Sequence, residues 1–228
     1  MSFKVFKKLD VFDIFKQFVD DYADKTILDF GGNRGNLISY SNGQIKEENY
    51  TCLDLSIQAL NIVLDEHPDA SVIYWDRYHK TYNPRGSRTK EFPSNNHYDI
   101  AFANSVFTHQ EIPEILYCIE QLISVSNSVY FTYIDPKNDK VFDGLRNKHK
   151  AISLNEEQMN EIRSHKVSYI IDGCRVVHDI VNEPYKEIWT VIDTDYLKSI
   201  LTTDGFMINN GSTTGFDWME IKHNEETS

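Results

Sequence analysis

The feature that most constrains this chain is an alternation. Short apolar runs, each ending at a polar or glycine edge, take turns with stretches of helical periodicity. The runs are Lys25–Phe30, Tyr50–Leu55, Ala70–Asp76, Tyr98–Asn104 and Ser128–Ile134. Between them, Ala59, Leu60, Val63 and Leu64 share one helical face behind a capping Ser56. Ile112, Ile115, Leu116, Ile119, Leu122 and Ile123 form a second stripe, with Pro113 in its first turn, where a missing amide hydrogen costs little. Strands alternating with helices predict an α/β fold whose parallel sheet is covered on both faces. In such doubly wound sheets ligands sit at the carboxyl ends of the strands, where the winding reverses. The loops after Phe30, Leu53, Trp75, Ala103 and Ile134 are therefore the places to look.

The ends of the chain and one central segment complete the organisation. Val11, Phe12, Ile14, Phe15, Phe18 and Val19 predict a helix within an N-terminal helical segment, residues 1–24. Near the C-terminus the pattern predicts a helix over Asp195–Leu201, a stop at Gly205, a strand over Phe206–Ile208, a turn near Gly211 and a strand over Asp217–Lys222. Residues 77–97 are polar and carry Pro84, Gly86 and Pro93, which predicts a long loop and no crossover helix. Residues 137–192 break the alternation. They hold a helical stretch (Glu156–Ser164) and strand-like runs at Val167–Ile171, Arg175–Val181 and Glu187–Ile192, with Gly173 as a turn residue. The reading is one domain over residues 1–228 with an insertion over 137–192 after the fifth strand.

Composition narrows the function classes. Asp and Glu number 35 against 23 Lys and Arg, a formal charge of −12, so polyphosphates are repelled at long range and nucleic acid is disfavoured as a partner. No run of about 18 apolar residues exists, so no membrane-spanning helix is expected. The opening residues lack the continuous apolar stretch of a secretory signal. Cys52, Cys118 and Cys174 are few and scattered. They offer neither zinc-ligand spacing nor a disulfide framework, and reduced thiols in a cytoplasmic protein are the expectation. No metal site is expected.

The segment Thr26-Ile-Leu-Asp-Phe-Gly-Gly-Asn-Arg-Gly-Asn-Leu37 carries the chemistry. A dinucleotide fingerprint would need glycine at the first, third and sixth loop positions; here they are Gly31, Asn33 and Asn36. The segment instead resembles motif I of the class I S-adenosylmethionine-dependent methyltransferases, an acid followed one residue later by Gly-x-Gly-x-Gly. Asp29, Gly31 and Gly35 match it. Asn33 replaces the middle glycine, a position where asparagine tolerates positive φ better than other side chains.

Later positions extend the resemblance over about residues 24–135 and 193–222. Asp54, at the end of the second run with Leu55 behind it, corresponds to the acid that holds the ribose hydroxyls. Asp76, followed by Arg77, lies where the family often has an acid near the adenine amino group. Asn104-Ser-Val-Phe-Thr-His109 resembles the motif IV region, which sets Asn104 and Ser105 beside the methionine moiety. The resemblance implies a Rossmann-like, seven-stranded, mostly parallel sheet and S-adenosyl-L-methionine as cofactor, bound by these residues and Gly32. It also implies in-line methyl transfer to an oxygen or nitrogen of a small-molecule acceptor. His109 is the candidate general base, since an imidazole titrates near pH 6.5, and Tyr133, with Asp135 past the fifth strand, borders the same mouth.

Each residue also has a plainer reading. Gly31-Gly32 can simply end a strand, Asp54 and Asp76 can cap helices, and His109 can pack at a helix start. Tyr169, Tyr185 and Trp189 in the insertion suit a flat acceptor or a core, and His178 a core or surface place. The basic stretches Lys137, Lys140, Arg146, Lys148, Lys150 and Lys80, Arg85, Arg88, Lys90 suit an anionic acceptor or a solvated loop. Two further readings stay open: an RNA or protein methyltransferase, and a noncatalytic methyltransferase-like scaffold.

Overall fold

A computed structural model describes residues 10–79, 82–135, 170–171, 174–177, 189–201, 206–212 and 217–223. The elements, in chain order, are α1 (Val11–Phe15), β1 (Ile27–Phe30), α2 (Asn36–Ser41), β2 (Tyr50–Asp54), α3 (Ile57–Glu66), β3 (Ser71–Tyr74), β4 (Tyr98–Ala103), α4 (Ile112–Val125) and β5 (Ser126–Tyr133). They continue with β6 (Ile170–Ile171), β7 (Cys174–Val177), β8 (Trp189–Val191), α5 (Thr194–Ile200), β9 (Phe206–Ser212) and β10 (Asp217–His223).

Seven strands form one sheet in the order β3-β2-β1-β4-β5-β10-β9. β3, β2, β1, β4 and β5 are parallel, and β10 runs antiparallel to both β5 and β9. The expected Rossmann-like, mostly parallel sheet is thus observed. Period-two alternation assigns its side chains to two cores. On one face Leu28, Phe30, Leu53 and Phe131 pack with the buried stripe of α4. On the other, Ile27, Tyr50, Cys52 and Phe102 meet residues of α1, α2 and α3. Strands apolar on both faces are what two covering layers of helix require.

Local signals explain where the helices start. The Ser56 hydroxyl accepts the Ala59 amide at 3.2 Å and starts α3. Asp193 accepts the amides of Asp195 and Tyr196 and starts α5. α1 is shorter than the apolar pattern predicts. It stops at Phe15, with Lys16 as its C-cap, yet Val19 remains buried. The acids Asp20 and Asp21 follow, where the negative end of a longer helix would repel them.

Two details are added outside the five parallel strands. The strand expected over Phe206–Ile208 continues to Ser212 as β9, with Gly211 opposite Trp218. A β-carbon there would lie 2.8 Å from the Trp218 ring, so this glycine makes room for an indole. The 77–97 segment is a loop, as expected, but an organised one, with bridges Arg77↔Ser87 and His79↔Asn83.

β6, β7 and β8 form a separate antiparallel sheet. It meets the main body where the Thr190 hydroxyl donates to the Gln110 carbonyl and the Ile192 amide donates to the Ile134 carbonyl at 2.9 Å. The helical stretch 156–164, Tyr169, Tyr185, His178, Lys80 and the basic residues of 137–150 lie outside the described residues, as do the side chains of Trp189 and Cys174. Cys52 and Cys118 are buried free thiols. No helix among the described residues is long and apolar enough to cross a membrane.

Candidate functional site

The chain winds from β1 through β2 to β3 at one edge, then starts β4 on the other side of β1. The loops leaving β1 and β4 therefore diverge and open a crevice at the strand ends. A cavity of about 610 Å³ occupies it, within the range of about 300–1,000 Å³ usual for small-molecule sites. Its walls come from the turn after β1, the tips of β2 and β4, the start of α2 and the loop after β3.

The turn after β1 is shaped by backbone geometry. Gly31 has φ +69°, and a β-carbon on it would come within 2.6 Å of Val106 Cγ2. Gly32 has no room either, since its β-carbon would meet the Asp29 carboxylate at 2.6 Å and the Cys52 sulfur at 2.7 Å. Asn33 takes φ +52°, the left-handed conformation anticipated for it. Gly35 caps α2 with φ +70° and packs under the turn, off the cavity wall.

Two carboxylates organise this end. Asp54 Oδ2 accepts the Asn33 amide at 2.9 Å, and Oδ1 accepts the Ser56 amide at 2.8 Å. Burial pushes its carboxyl up, while the amides of Ser56, Asn33 and Leu55 pull it back. Each oxygen keeps acceptor capacity for a further donor. Asp29 is only 4% exposed and accepts the Tyr50 hydroxyl at 2.5 Å. Burial pushes its carboxyl up to about 7 despite that bond, with the Asp54 charge adding to the rise. Leu55 and Ser56 complete the β2 tip.

On the β4 side, Ser105 has φ +58°, a sparsely populated conformation of the kind that clusters at functional sites. It is held by its amide donating to Thr132 Oγ1 at 2.7 Å and by its carbonyl accepting the Thr108 hydroxyl at 3.2 Å. Asn104 lines the cavity, and its Oδ1 is buried without a hydrogen-bond partner among the described residues. A buried acceptor left without a donor is costly, so this atom suits a donor brought by a ligand.

The loop after β3 separates two neighbours that the sequence groups together. Asp76 does not line the cavity. Its Oδ1 accepts from the Tyr74 hydroxyl at 3.2 Å and the Asn83 amide at 3.0 Å, pinning the loop. Arg77 does lie on the wall, but its guanidinium is committed to structure. It makes a two-pronged contact with Glu114 at 2.6 and 3.0 Å, donates to the Lys90 carbonyl at 2.8 Å and stacks 4.2 Å from the Tyr117 ring. Arg88 pairs with Glu111 at 3.1 Å and covers the Tyr78 ring, while Arg85 and Lys90 are exposed.

The two catalytic candidates part company. His109 lines the cavity, edge-on to Tyr82 with ring centres 6.2 Å apart. Tyr133 is buried and off the wall, its hydroxyl hydrogen-bonded to Thr194 Oγ1 at 2.6 Å. Thr194 in turn donates its hydroxyl and its amide to Asp135. Tyr133 and Asp135 therefore tie β5 to α5.

Sequence reasoning missed Tyr78, His79, Tyr82 and Gln110, all on the cavity wall. His79 is 6% exposed, and its Nδ1 accepts the Tyr82 amide at 3.0 Å. Burial first, then the neighbouring His109, push it down to about 4, against a hydrogen bond to the His109 backbone. The one available signal was position, immediately after the third strand. β8 packs against the Phe107–His109 turn, which brings residues 189–191 to this end of the cavity.

No family model and no curated protein matches the sequence. Solved structures do match in fold. The glycopeptide N-methyltransferase MtfA, complexed with S-adenosyl-L-homocysteine, superposes with a TM-score of 0.56 at 8% identity, covering 93% of this chain and 88% of that one. The plantazolicin methyltransferase BpumL, in complex with a monoazolic desmethylPZN analog and S-adenosylhomocysteine, gives 0.54 at 15% identity, covering 93% and 80%. Magnesium protoporphyrin IX methyltransferase (ChlM) from Synechocystis PCC 6803, with bound S-adenosylhomocysteine, gives 0.53 at 13% identity, covering 92% and 79%. At these identities the likeness is one of architecture: the chain has the Rossmann-like fold of S-adenosylmethionine-dependent methyltransferases.

Proposed function

We propose that this chain is an S-adenosyl-L-methionine-dependent methyltransferase acting on an oxygen or nitrogen of a small-molecule acceptor. The observation that carries the reading is the Asp54 carboxylate, which braces the left-handed turn after β1 while facing a cavity at the winding reversal. Asp54 and Leu55 hold the nucleoside side. Gly31, Gly32 and Asn33 form a floor where backbone replaces side chain, with Gly35 and Asp29 supporting it. Asn104, whose Oδ1 needs a donor, and Ser105 face the amino-acid side. The cofactor supplies an activated methyl group for in-line transfer, so the protein's task is alignment and exclusion of water.

His109 serves as the base that takes the acceptor's proton. The fold neighbours support the methyl-transfer reading as a whole, since MtfA, BpumL and ChlM are methyltransferases with S-adenosylhomocysteine bound. The 137–192 insertion covers the acceptor within a single domain, a role supported by β8 lying on the Phe107–His109 turn. The acidity of the chain argues against an RNA substrate. A reducing cytoplasmic setting suits the buried free thiols of Cys52 and Cys118. The test is calorimetric titration with S-adenosylmethionine and S-adenosylhomocysteine. Micromolar binding that Asp54→Ala weakens supports the enzyme, and no heat or thermal shift with either ligand rejects it in favour of a scaffold.

A further inference from the structure

We propose that the end of the cavity bounded by Tyr82, His109 and Gln110 is an acceptor subsite for a flat, uncharged ring bearing an O–H or N–H donor, with Gln110 Oε1 as the receiving atom. The proposal rests on the methyl-transfer reading and names its acceptor class.

Three observations meet here. The first is an acceptor atom without a donor. Gln110 lines the cavity, and its Oε1 is buried with no hydrogen-bond partner among the described residues. Its backbone carbonyl takes the Thr190 hydroxyl, so the residue is anchored between β8 and the cavity. A ligand O–H or N–H directed at Oε1 removes the cost of a buried carbonyl left bare.

The second is an aromatic platform. Tyr82 is 58% exposed at the lip, its ring resting 4.6 Å from the His79 imidazole at an interplanar angle of 36°. His79 in turn holds the Tyr82 amide. An exposed ring fixed at a cavity mouth offers a face for stacking a second flat system.

The third is charge. The described guanidiniums at this end are already matched, Arg77 by Glu114 and Arg88 by Glu111. An entering carboxylate or phosphate would meet neutralised cations with two acids beside them. That favours an uncharged acceptor over an anionic one.

A recess of about 20 Å³ also borders Gln110, room for a single water, so a resident water is the competing partner for Oε1. The test compares three probes of one ring shape: naphthol, its methyl ether and naphthoate. Each is titrated by ligand-observed NMR into the 228-residue chain saturated with S-adenosylhomocysteine, whose own binding is measured by calorimetry on the same sample.

Naphthol should bind about fivefold or more tightly than either companion, the scale of one net hydrogen bond. Gln110→Leu should erase that preference while leaving the thermal midpoint and S-adenosylhomocysteine affinity in place, and Gln110→Glu, which retains an acceptor, should keep it. Equal binding of naphthol and its ether, tighter naphthoate binding, or an unchanged preference in Gln110→Leu overturns the subsite while methyl transfer stands. Failure of S-adenosylhomocysteine to bind the wild type overturns both.

Discussion

The Asp54 carboxylate accepts the backbone amide of Asn33 at 2.9 Å, and so locks the tip of β2 to the turn leaving β1 across 21 residues of sequence. Its other oxygen receives the Ser56 amide at the start of α3. One side chain thus fixes two loops and retains acceptor capacity toward the cavity. Asp54→Ala should reduce S-adenosylhomocysteine affinity at least tenfold by calorimetry, because charge-assisted hydrogen bonds contribute about 1.5–3 kcal/mol each. Asp54→Asn preserves one acceptor oxygen and should recover part of the loss. Equal affinity in all three proteins would remove Asp54 from the cofactor site.

Asn33 carries a conformational cost where the family pattern has glycine. Its φ of +52° is strained for most side chains, and glycine relieves that strain. Asn33→Gly should therefore leave the urea midpoint unchanged or slightly higher. Asn33→Val, β-branched and poorly suited to positive φ, should lower stability by about 1–3 kcal/mol. A Val variant as stable as the wild type would mean that the turn relaxes away from this geometry in solution.

The Arg77–Glu114 pair is a structural brace at the rim. Both side chains are nearly buried, 10% and 12% exposed, and they meet at 2.6 Å. Removing one partner strands a buried charge, so Glu114→Ala should destabilise by about 3–5 kcal/mol in urea unfolding. Arg77→Lys should also be costly, because an ammonium cannot reproduce the forked contact and the stacking on Tyr117. A change below about 1 kcal/mol for Glu114→Ala, the scale of an exposed pair, would show the contact to be solvated.

These relationships also mark what the sequence could disclose. Apolar runs and caps foretold β1 through β5, α3 and α4, because a strand covered on both faces reads as an unbroken apolar run and a helix covered on one face as a stripe. Asp54 was legible because a strand end and a helix cap coincide there. Tyr133 and Asp76 were not, since strand alternation and one loop hydrogen bond decide which way each points. Tyr133 reaches Thr194, and Asp76 reaches Asn83. His79 and Tyr82 left no trace beyond their place after the third strand, for an irregular loop carries no periodicity and its polar composition reads as solvated although His79 is buried.

Asp29 and His79 titrate over overlapping ranges with opposite effects on stability. Asp29 rises from 3.8 to about 7 in the folded protein, mainly through burial. The folded state therefore binds more protons than the unfolded one between those values, and stability falls as pH climbs through that window. His79 drops from 6.5 to about 4, again mainly through burial. There the unfolded state binds more protons, and stability rises with pH from about 4 to 6.5. The two slopes partly cancel in the wild type. Asp29 contributes on the order of a few kcal/mol across its window, and His79 rather less, because each tenfold change in proton affinity is worth about 1.4 kcal/mol. Substitution separates them. Asp29→Asn should leave a protein that gains stability from about pH 4 to 6.5, and His79→Gln one that loses stability from about pH 4 to 7, both read as urea midpoints across the range. Parallel pH profiles for the two variants would show that neither group carries the buried charge cost assigned to it.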